Sequence, residues 1–493
     1  MKTIKTERDI RLTHDCVGEF TVPDYLPEIE KLLSAECSVA PDGIYLKSGG
    51  ASGITAEQSG EVAFGVIWQG GDAATPTGAV FRCDYDNAAA LGVFPADATP
   101  RCRAVTTVDS VFCRVTGPRK LSLRARLSSR IIAFAEASLS APSECESESV
   151  EVLTDRIDSA ISVLGSSHDL YTSVDVAAPG TPLYCRGGIR VDSCAPSAPS
   201  ECRLTGEILL TCFFAVDGGI ASESASVPFD ETVALDLHGD MSLESAVSCR
   251  GFGSVTSVSL REGETSAVAD VTYDLFADVL LSSVGDAVRD AYSTSAVSHA
   301  EYRELDFSSA LACASTSLSV NERTAISRTG RVELVTGSAA VESVRADKGK
   351  LRLSGSVTGT ALIKTDGERE NVPYTVPWSC EIPLAKDASA CENPDYVADV
   401  SVLSASGRAD GELSVSAELF VSVTATAPKR ISILDALSVD GGKPEPEHFV
   451  RVCYPTAGEG AWEIAKRFRV PVSRVRSAEN TDENGAPRRV VVI

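Results

Sequence analysis

Three stretches of the chain alternate between apolar and polar residues with a period of two. They lie at 120–127, 267–273 and 413–419, and each follows a turn signal, namely Gly117-Pro118, Glu262-Gly263 or Asp410-Gly411. A period of two is typical of antiparallel strands that bury one face, and a preceding turn is typical of a hairpin. The pattern therefore predicts a mainly β chain of antiparallel sheets.

A second strand-like pattern also occurs three times, at intervals of 146 and 149 residues. Each copy begins at a glycine, namely Gly60, Gly206 or Gly355. Between 23 and 25 residues later comes an aromatic residue in an extended stretch, namely Tyr85, Phe229 or Trp378. A pattern that recurs at a nearly constant interval indicates repeated structural units.

We therefore predict three tandem β-rich, sandwich-like domains at residues 1–140, 141–287 and 288–440. A domain of about 145 residues buries enough of its surface to fold alone. Residues 441–448 combine glycine, proline and charge, which is typical of a linker. Residues 449–493 form a separate small module.

Few helices are predicted within the β-rich part, and the best candidate lies at residues 27–33. Proline suits the first helical position, and acidic residues follow it in the first turn. Ile29, Leu32 and Leu33 would share one apolar face.

The C-terminal module is predicted to have the order β-α-α-β. A strand at 449–454 precedes a helix that places Trp462 and Phe468 on one face. Ser473 can cap a second short helix that contains Val475 and Ala478. The last residues, 490–493, are predicted to form a strand that pairs with the first.

The charge of the chain disfavours two classes of partner. Lys and Arg number 45 against 69 Asp and Glu, which gives a net charge of −24. Such a chain repels nucleic acid and anionic lipid. The C-terminal module differs, because residues 449–493 hold eight basic and five acidic side chains. A basic module on an acidic protein suits an acidic partner.

Cysteine usage and the apolar pattern indicate a protein that stays in the compartment where it is made. The 15 cysteines are scattered and form no C-x-x-C pair, and the five histidines are far apart, with none near two cysteines. We therefore expect reduced thiols, no metal site and no cofactor. No apolar run is long enough to span a membrane, and the start does not read as a secretory signal. The expected location is cytoplasmic.

An enzyme is the first alternative reading, and the motifs disfavour it. The chain has no G-x-S-x-G, H-E-x-x-H or P-loop motif. Asp84 and Asp86 would share a strand face, but nothing marks them as an acid–base pair. We therefore name no catalytic residue, although scattered Ser, His and Asp residues can still meet in space.

The C-terminal module resembles the LysM family. The resemblance rests on residues 461–468 (AWEIAKRF), on three valines at 470, 472 and 475, and on Asn480. The usual Gly-Asp-Thr turn is replaced here by Gly-Glu-Gly at 458–460. The resemblance implies binding through the loops and the first helix, and the altered turn favours protein over sugar. The predicted partner-binding residues are Gly458, Glu459, Gly460, Trp462, Arg467 and Asn480.

Tandem β-rich repeats followed by one LysM-like module are similar to the SPOCS-domain proteins of spore-forming Clostridia. The matching segments are 21–29 (TVPDYLPEI), 206–208 (GEI) and 227–230 (VPFD). The resemblance implies a spore-coat scaffold in the mother-cell cytoplasm, at the forespore surface. Its module would dock the coat-basement ATPase or another coat protein. A peptidoglycan-binding protein of cortex or wall is the alternative.

Overall fold

The first 18 strands of the described chain fall into three six-stranded units, which we call copies 1, 2 and 3, and the last three strands belong to the C-terminal module. The computed structural model describes residues 4–48, 53–71, 75–94, 99–137, 149–235, 237, 242–262, 266–326, 329–385, 391, 393–440, 451–453, 459–477 and 490–492. The predicted linker at 441–448 lies outside these residues. The mainly β, antiparallel fold predicted from the alternating pattern is confirmed.

Each copy uses the same order of strands. Copy 1 contains β1 (Ile4–Thr21), β2 (Lys31–Ser48), β3 (Ile54–Gln69), β4 (Pro76–Gly92), β5 (Thr99–Gly117) and β6 (Lys120–Ala137). Copy 2 contains β7 (Val150–Val176), β8 (Thr181–Ala198), β9 (Glu201–Val216), β10 (Gly219–Ala234), β11 (Ala246–Glu262) and β12 (Ala267–Ser293). Copy 3 contains β13 (Val297–Ala325), β14 (Arg331–Asp347), β15 (Lys350–Thr365), β16 (Glu368–Pro383), β17 (Asp395–Ala409) and β18 (Glu412–Asp440).

Two three-stranded sheets build each copy. The second, third and fourth strands form one sheet, and the sixth strand lies between the first and the fifth in the other. The alternating apolar residues of the sixth strand face the other sheet, so that Leu121, Leu123 and Leu127 share a core with Val62 and Phe64. The boundary predicted between residues 287 and 288 lies inside β12, which ends only at Ser293.

The repeated glycine and the repeated aromatic residue are direct cross-strand neighbours. Gly60 pairs with Tyr85, Gly206 with Phe229, and Gly355 with Trp378. The opposite neighbour strand bulges beside each glycine, for example between Val341 and Ser343. A Cβ atom at Gly355 would lie 1.9 Å from the Ala340 carbonyl oxygen and 2.8 Å from the Trp378 ring. Glycine is needed there because the backbone and the ring approach too closely for any side chain.

The three copies meet at equivalent positions around a shared apolar cluster. It contains Ile67, Phe213 and Leu362, each seven residues after its repeat glycine, together with Leu33 and Leu183. The position that corresponds to these two leucines in copy 3 is Glu333. Its carboxylate pairs with Arg369 at 2.6 Å, and both side chains are buried. The sandwich units are therefore packed against one another rather than strung on open linkers.

The helix predicted at residues 27–33 is wrong. Residues 27–30 form an irregular connection that follows a turn at residues 24–25 and leads into β2, which begins at Lys31. The Ile29 amide donates to the Pro118 carbonyl, and the Glu30 amide donates to the Gln69 carbonyl. Tertiary hydrogen bonds and burial of Ile29 and Leu33 replace the helical ones, because a seven-residue helix has little stability of its own.

The C-terminal module contains one α-helix and a small sheet. β19 (Arg451–Cys453) pairs with β21 (Val490–Val492), as predicted, and β21 also pairs with β20 (Val475–Ser477). Helix α1 spans Ala461–Phe468. The predicted second helix is wrong in the described part, where Val472–Arg474 form one 3-10 turn and Val475 begins β20. Pro471 and two β-branched valines disfavour a helix there.

No helix in the described ranges is long and apolar enough to cross a lipid bilayer.

Candidate functional site

Helix α1 of the module is fastened to the end of copy 2. Trp462 Nε1 donates to Asp290 Oδ2 at 2.8 Å, and Lys466 Nζ lies 2.7 Å from both oxygens of the same carboxylate. Trp462 and Lys466 are four residues apart and therefore share one face of the helix. Asp290 lies near the end of β12. One aspartate thus holds the module through two side chains.

Two tyrosines, Tyr292 and Tyr302, complete this contact. We call the contact between these tyrosines, Asp290, Trp462 and Lys466 the module anchor. Tyr302 on β13 donates its hydroxyl to Asp290 at 2.6 Å and receives a hydrogen bond from Lys466 at 3.1 Å. Tyr292 donates to the Val470 carbonyl at 2.7 Å, and its ring meets the edge of Trp462 with 5.0 Å between centroids. The anchor therefore joins β12 and β13 of two copies to the module.

Burial alone would raise the pKa of Asp290. The hydrogen bonds from Lys466, Tyr302 and Trp462 outweigh that effect and lower the pKa of the carboxyl below its ordinary value. Burial would likewise lower the pKa of Lys466, but the bonds to Asp290 and Tyr302 raise it instead. The pair is therefore charged over a wide pH range, and its hydrogen bonds are charge-assisted.

Local sequence determines where α1 begins and ends. The Gly460 amide donates to Glu463 Oε2 at 2.9 Å, which satisfies one of the amides that a helix start leaves free. Arg469 adopts a left-handed conformation with φ 52°, and this ends the helix. Ile464 and Ala465 are fully buried beneath the helix. The helix is thus held by its own module on one side and by the anchor on another.

The remaining surface of the module is basic and exposed. Its exposed arginines are Arg467, Arg469, Arg474 and Arg476. Arg467 pairs with Glu459 at 2.9 Å and lies over the Phe468 ring at 5.0 Å. These side chains are available to a partner in the folded chain, unlike Trp462.

The structure distributes the predicted binding residues over different surroundings. Glu459 and Arg467 pair with each other at the surface, and Gly460 begins the helix. Trp462 is half-buried against Asp290 and Tyr292. Gly458 and Asn480 lie outside the described residues. The predicted set is therefore brought together only in part.

The sequence reasoning missed the anchor on the β-rich part. Asp290, Tyr292 and Tyr302 lie at the ends of long strands, where alternation alone gives no sign of a contact. Only the folded chain shows that the basic module contacts these three residues.

A cavity of about 530 Å³ lies where the three copies meet. Its lining includes Glu36 of copy 1, Arg186 and Arg250 of copy 2, and Asp399 of copy 3. Arg186 pairs with Glu36 at 3.2 Å, and Arg250 with the buried Asp278 at 3.4 Å. Burial raises the pKa of Glu36, although Arg186 opposes that effect. The charged side chains named here thus form ion pairs, as expected for residues buried at a contact between copies.

Other candidate chemistry from the sequence is dispersed. Asp84 and Asp86 are both exposed on β4 and flank the buried Tyr85. Among the described residues, no group of three or more His, Cys, Asp or Glu side chains is arranged to hold a metal ion. The cysteines within the described ranges are free thiols.

Comparisons of the chain with protein-family models, with curated proteins and with solved structures give no match.

Proposed function

We propose that this protein is a scaffold that docks a partner protein through the exposed basic surface of its C-terminal module. The observation that carries the proposal is the module anchor, in which Asp290 binds Trp462 and Lys466. A module held in one orientation by a large β framework presents its arginines in a defined direction. Pre-organisation of this kind lowers the entropic cost of binding.

The charge distribution supports an acidic partner surface. The chain carries a net charge of −24, whereas the module is locally basic. Arginine forms bidentate contacts with carboxylates, and opposite fields accelerate encounter. From the resemblance to SPOCS-domain proteins, we propose that the partner is the coat-basement ATPase or another coat protein of the forespore. The site of action would then be the mother-cell cytoplasm.

Peptidoglycan remains the alternative ligand. LysM modules that bind sugar use loops flanking a groove, and an aromatic ring such as Trp462 is a natural stacking surface. Here that ring is engaged by Asp290 and Tyr292. The engagement favours protein docking over sugar stacking at this residue.

The test uses the full-length chain, because the module contacts copies 2 and 3. Binding to the purified coat-basement ATPase and to purified peptidoglycan is measured side by side. Arg467→Glu with Arg474→Glu should weaken ATPase binding at least 10-fold. The matched control is Arg345→Glu with Arg352→Glu, which are exposed cross-strand neighbours on β14 and β15 of copy 3 and do not belong to the module.

An equal loss of ATPase binding in both double variants would mean that only the net charge of the chain matters. That result would count against the module surface as the docking site. Binding of the wild-type chain to peptidoglycan but not to the ATPase would establish the alternative instead.

A further inference from the structure

Copy 2 connects a serine, a histidine and an aspartate in series. His168 Nδ1 lies 3.0 Å from Asp274 Oδ2, and His168 Nε2 lies 3.0 Å from the Ser166 hydroxyl oxygen. An ionised carboxylate only accepts, which assigns the donor hydrogen to Nδ1, and the neutral ring then accepts from Ser166 at Nε2. The Asp274 side chain is only 6% exposed. Its second oxygen accepts from the Asp169 amide at 3.0 Å. This is the order of nucleophile, general base and orienting carboxylate that acyl-transfer enzymes use.

The backbone is irregular at this array. The pairing of β7 with β12 shifts register between Tyr273 and Leu275, so that Asp274 stands at a bulge. Asp169 adopts φ 56°, the left-handed region that residues other than glycine seldom occupy inside a strand. Bulges re-aim side chains beside active sites, and strained residues persist where the surroundings impose them. The distortion brings His168 onto Asp274.

The array opens on the cavity between the copies. Ser166 and His168 both line this space of about 530 Å³, which is within the usual size range of small-molecule sites. Phe276 is the direct cross-strand neighbour of Ser166 and places its ring edge-on to His168, with 5.6 Å between centroids. Phe252 stacks on Phe276 at 5.1 Å, and Phe420 of copy 3 lies in the same lining. The wall beside Ser166 is therefore apolar.

Two buried donors in the cavity lining have no hydrogen-bond acceptor among the residues that the structure describes. They are the Ser254 hydroxyl and Arg186 Nη2. Ser254 is the direct cross-strand neighbour of Asp274 on β11, so its side chain lies on the face of the sheet that carries the array. A buried donor without a partner is costly and needs an explanation. A carbonyl oxygen of a ligand would satisfy it and would be polarised by it.

We propose that Ser166, His168 and Asp274 form a hydrolytic site for esters of apolar acyl groups. The Ser166 oxygen adds to the ester carbonyl carbon while His168 Nε2 takes the hydroxyl proton. The intermediate then breaks its bond to the alcohol, which leaves with that proton, and the acyl group stays on Ser166. Water repeats the sequence, releases the carboxylic acid and restores the serine.

The role of each residue follows from the group that it contacts. Ser166 and His168 are the catalytic residues, Asp274 is a positioning residue that fixes the ring of His168, and Ser254 stabilises the oxyanion. The apolar wall of Phe252, Phe276 and Phe420 takes the acyl chain. None of these residues belongs to the module, so the docking function and this activity can fail independently.

The first test is covalent labelling of the full-length chain with a fluorophosphonate, followed by mass spectrometry of the labelled peptide. We expect one adduct, on Ser166, that is lost in Ser166→Ala and in His168→Gln. The control is Ser167→Ala, the adjacent serine, which pairs with Leu275 and is outside the cavity lining. Absence of the adduct in the wild-type chain, or its persistence in Ser166→Ala, overturns the proposal.

The second test is hydrolysis of p-nitrophenyl esters of increasing acyl length. We expect kcat/KM to rise from acetate to octanoate and to fall at least 100-fold in Ser166→Ala. Asp274→Asn should lower kcat at least 10-fold with KM nearly unchanged, because the ring of His168 loses its orientation. Hydrolysis that is equal in wild type and Ser166→Ala contradicts the assignment.

Discussion

The pairing of the first strand with the sixth is regular in copy 1 and irregular in copy 2. β1 pairs with β6 residue by residue from Ile4 to Thr21 without a bulge. β7 and β12 are 27 residues long, against 18 for β1 and β6, and their pairing shifts register twice. Both ladders occupy the same place in the same topology. The fold therefore requires neither the extra length nor the bulges.

The irregularities of copy 2 lie beside its distinctive contacts. One bulge lies at Asp274, which contacts His168, and the other lies between Val288 and Asp290, at the module anchor. In copy 3 the pairing of β13 with β18 likewise shifts register between Glu301 and Tyr302, at the anchor tyrosine. The comparison separates two kinds of bulge: those beside the repeat glycines occur in all three copies and belong to the shared core, whereas those beside Asp274 and Asp290 have no counterpart in the β1–β6 pairing of copy 1.

The largest expected effect concerns a regular position of copy 2. Arg250 donates to Ser422 at 2.6 Å and to Thr424 at 2.8 Å, and it pairs with Asp278. Arg250→Leu leaves a buried carboxylate without its cation, so we expect a loss of about 3–5 kcal/mol in the free energy of unfolding. Chemical denaturation measures it.

The control for this change is Arg261→Leu, on the same strand. Arg261 is exposed and pairs with Asp270, so its loss should cost at most about 1 kcal/mol. An equal loss of unfolding free energy in the two variants would contradict the claim that the buried arginine stabilises the fold more than the exposed one.

The second effect concerns the irregular end of β12, the strand that pairs with β11. Asp290→Ala removes the acceptor of Trp462 and Lys466, and bonds to a charged group contribute about 1.5–3 kcal/mol. The module should then leave the β framework in a measurable fraction of molecules. The 19F NMR signal of 5-fluorotryptophan at Trp462 would shift, and loss of that signal in Trp462→Phe would assign it. Asp286→Ala, at an exposed position of β12, should leave the signal unchanged.

The third prediction is the pH dependence of the same contact. The folded pKa of Asp290 lies below its ordinary value of 3.8. Its contribution is therefore fully present above about pH 4 and is lost as pH falls through the lowered pKa. The pKa of Lys466 is raised above 10.5, so its contribution is lost only in stronger alkali. The fluorotryptophan signal should stay constant between these limits, and a change near neutral pH would contradict the anchor as described.

The smallest effect tests strain at the first bulge. Asp169 has φ 56° within a strand, whereas Asp217, Lys348 and Asp366 adopt similar angles in two-residue turns. Asp169→Gly removes the steric penalty of Cβ, so we expect a gain of up to about 1 kcal/mol in unfolding free energy. A loss of stability in chemical denaturation would mean that Asp169 is not strained.

Much of the β framework was predictable because alternation and glycine spacing are direct consequences of buried strand faces. The pairing of Gly355 with Trp378 could have been read from their constant separation. The helix at 27–33 could not be excluded from sequence, since the Ile29 and Glu30 amides find partners on distant strands. The prediction of a second helix in the module was wrong for a similar reason, because Val475 pairs with Val492 on a distant strand.

The functional contacts were less predictable because they join residues far apart in the chain. Trp462 and Arg467 were singled out from the helix pattern, but only the fold shows that Trp462 is engaged by Asp290. Ser166 and Asp274 lie 108 positions apart in the chain, so no local motif could connect them. A bulge shifts the phase of the alternation by one residue, but that shift does not reveal which distant residue lies beside it.

Hydrogen exchange of the full-length chain tests the central claim most directly, namely that the irregular end of copy 2 holds the module. An eight-residue helix is unstable in isolation. Amides of 461–468 should therefore be protected in the wild-type chain and should exchange much faster in Asp290→Ala, while the β2–β4 sheet of copy 1 keeps its protection. Equal protection of 461–468 in both chains would contradict the account.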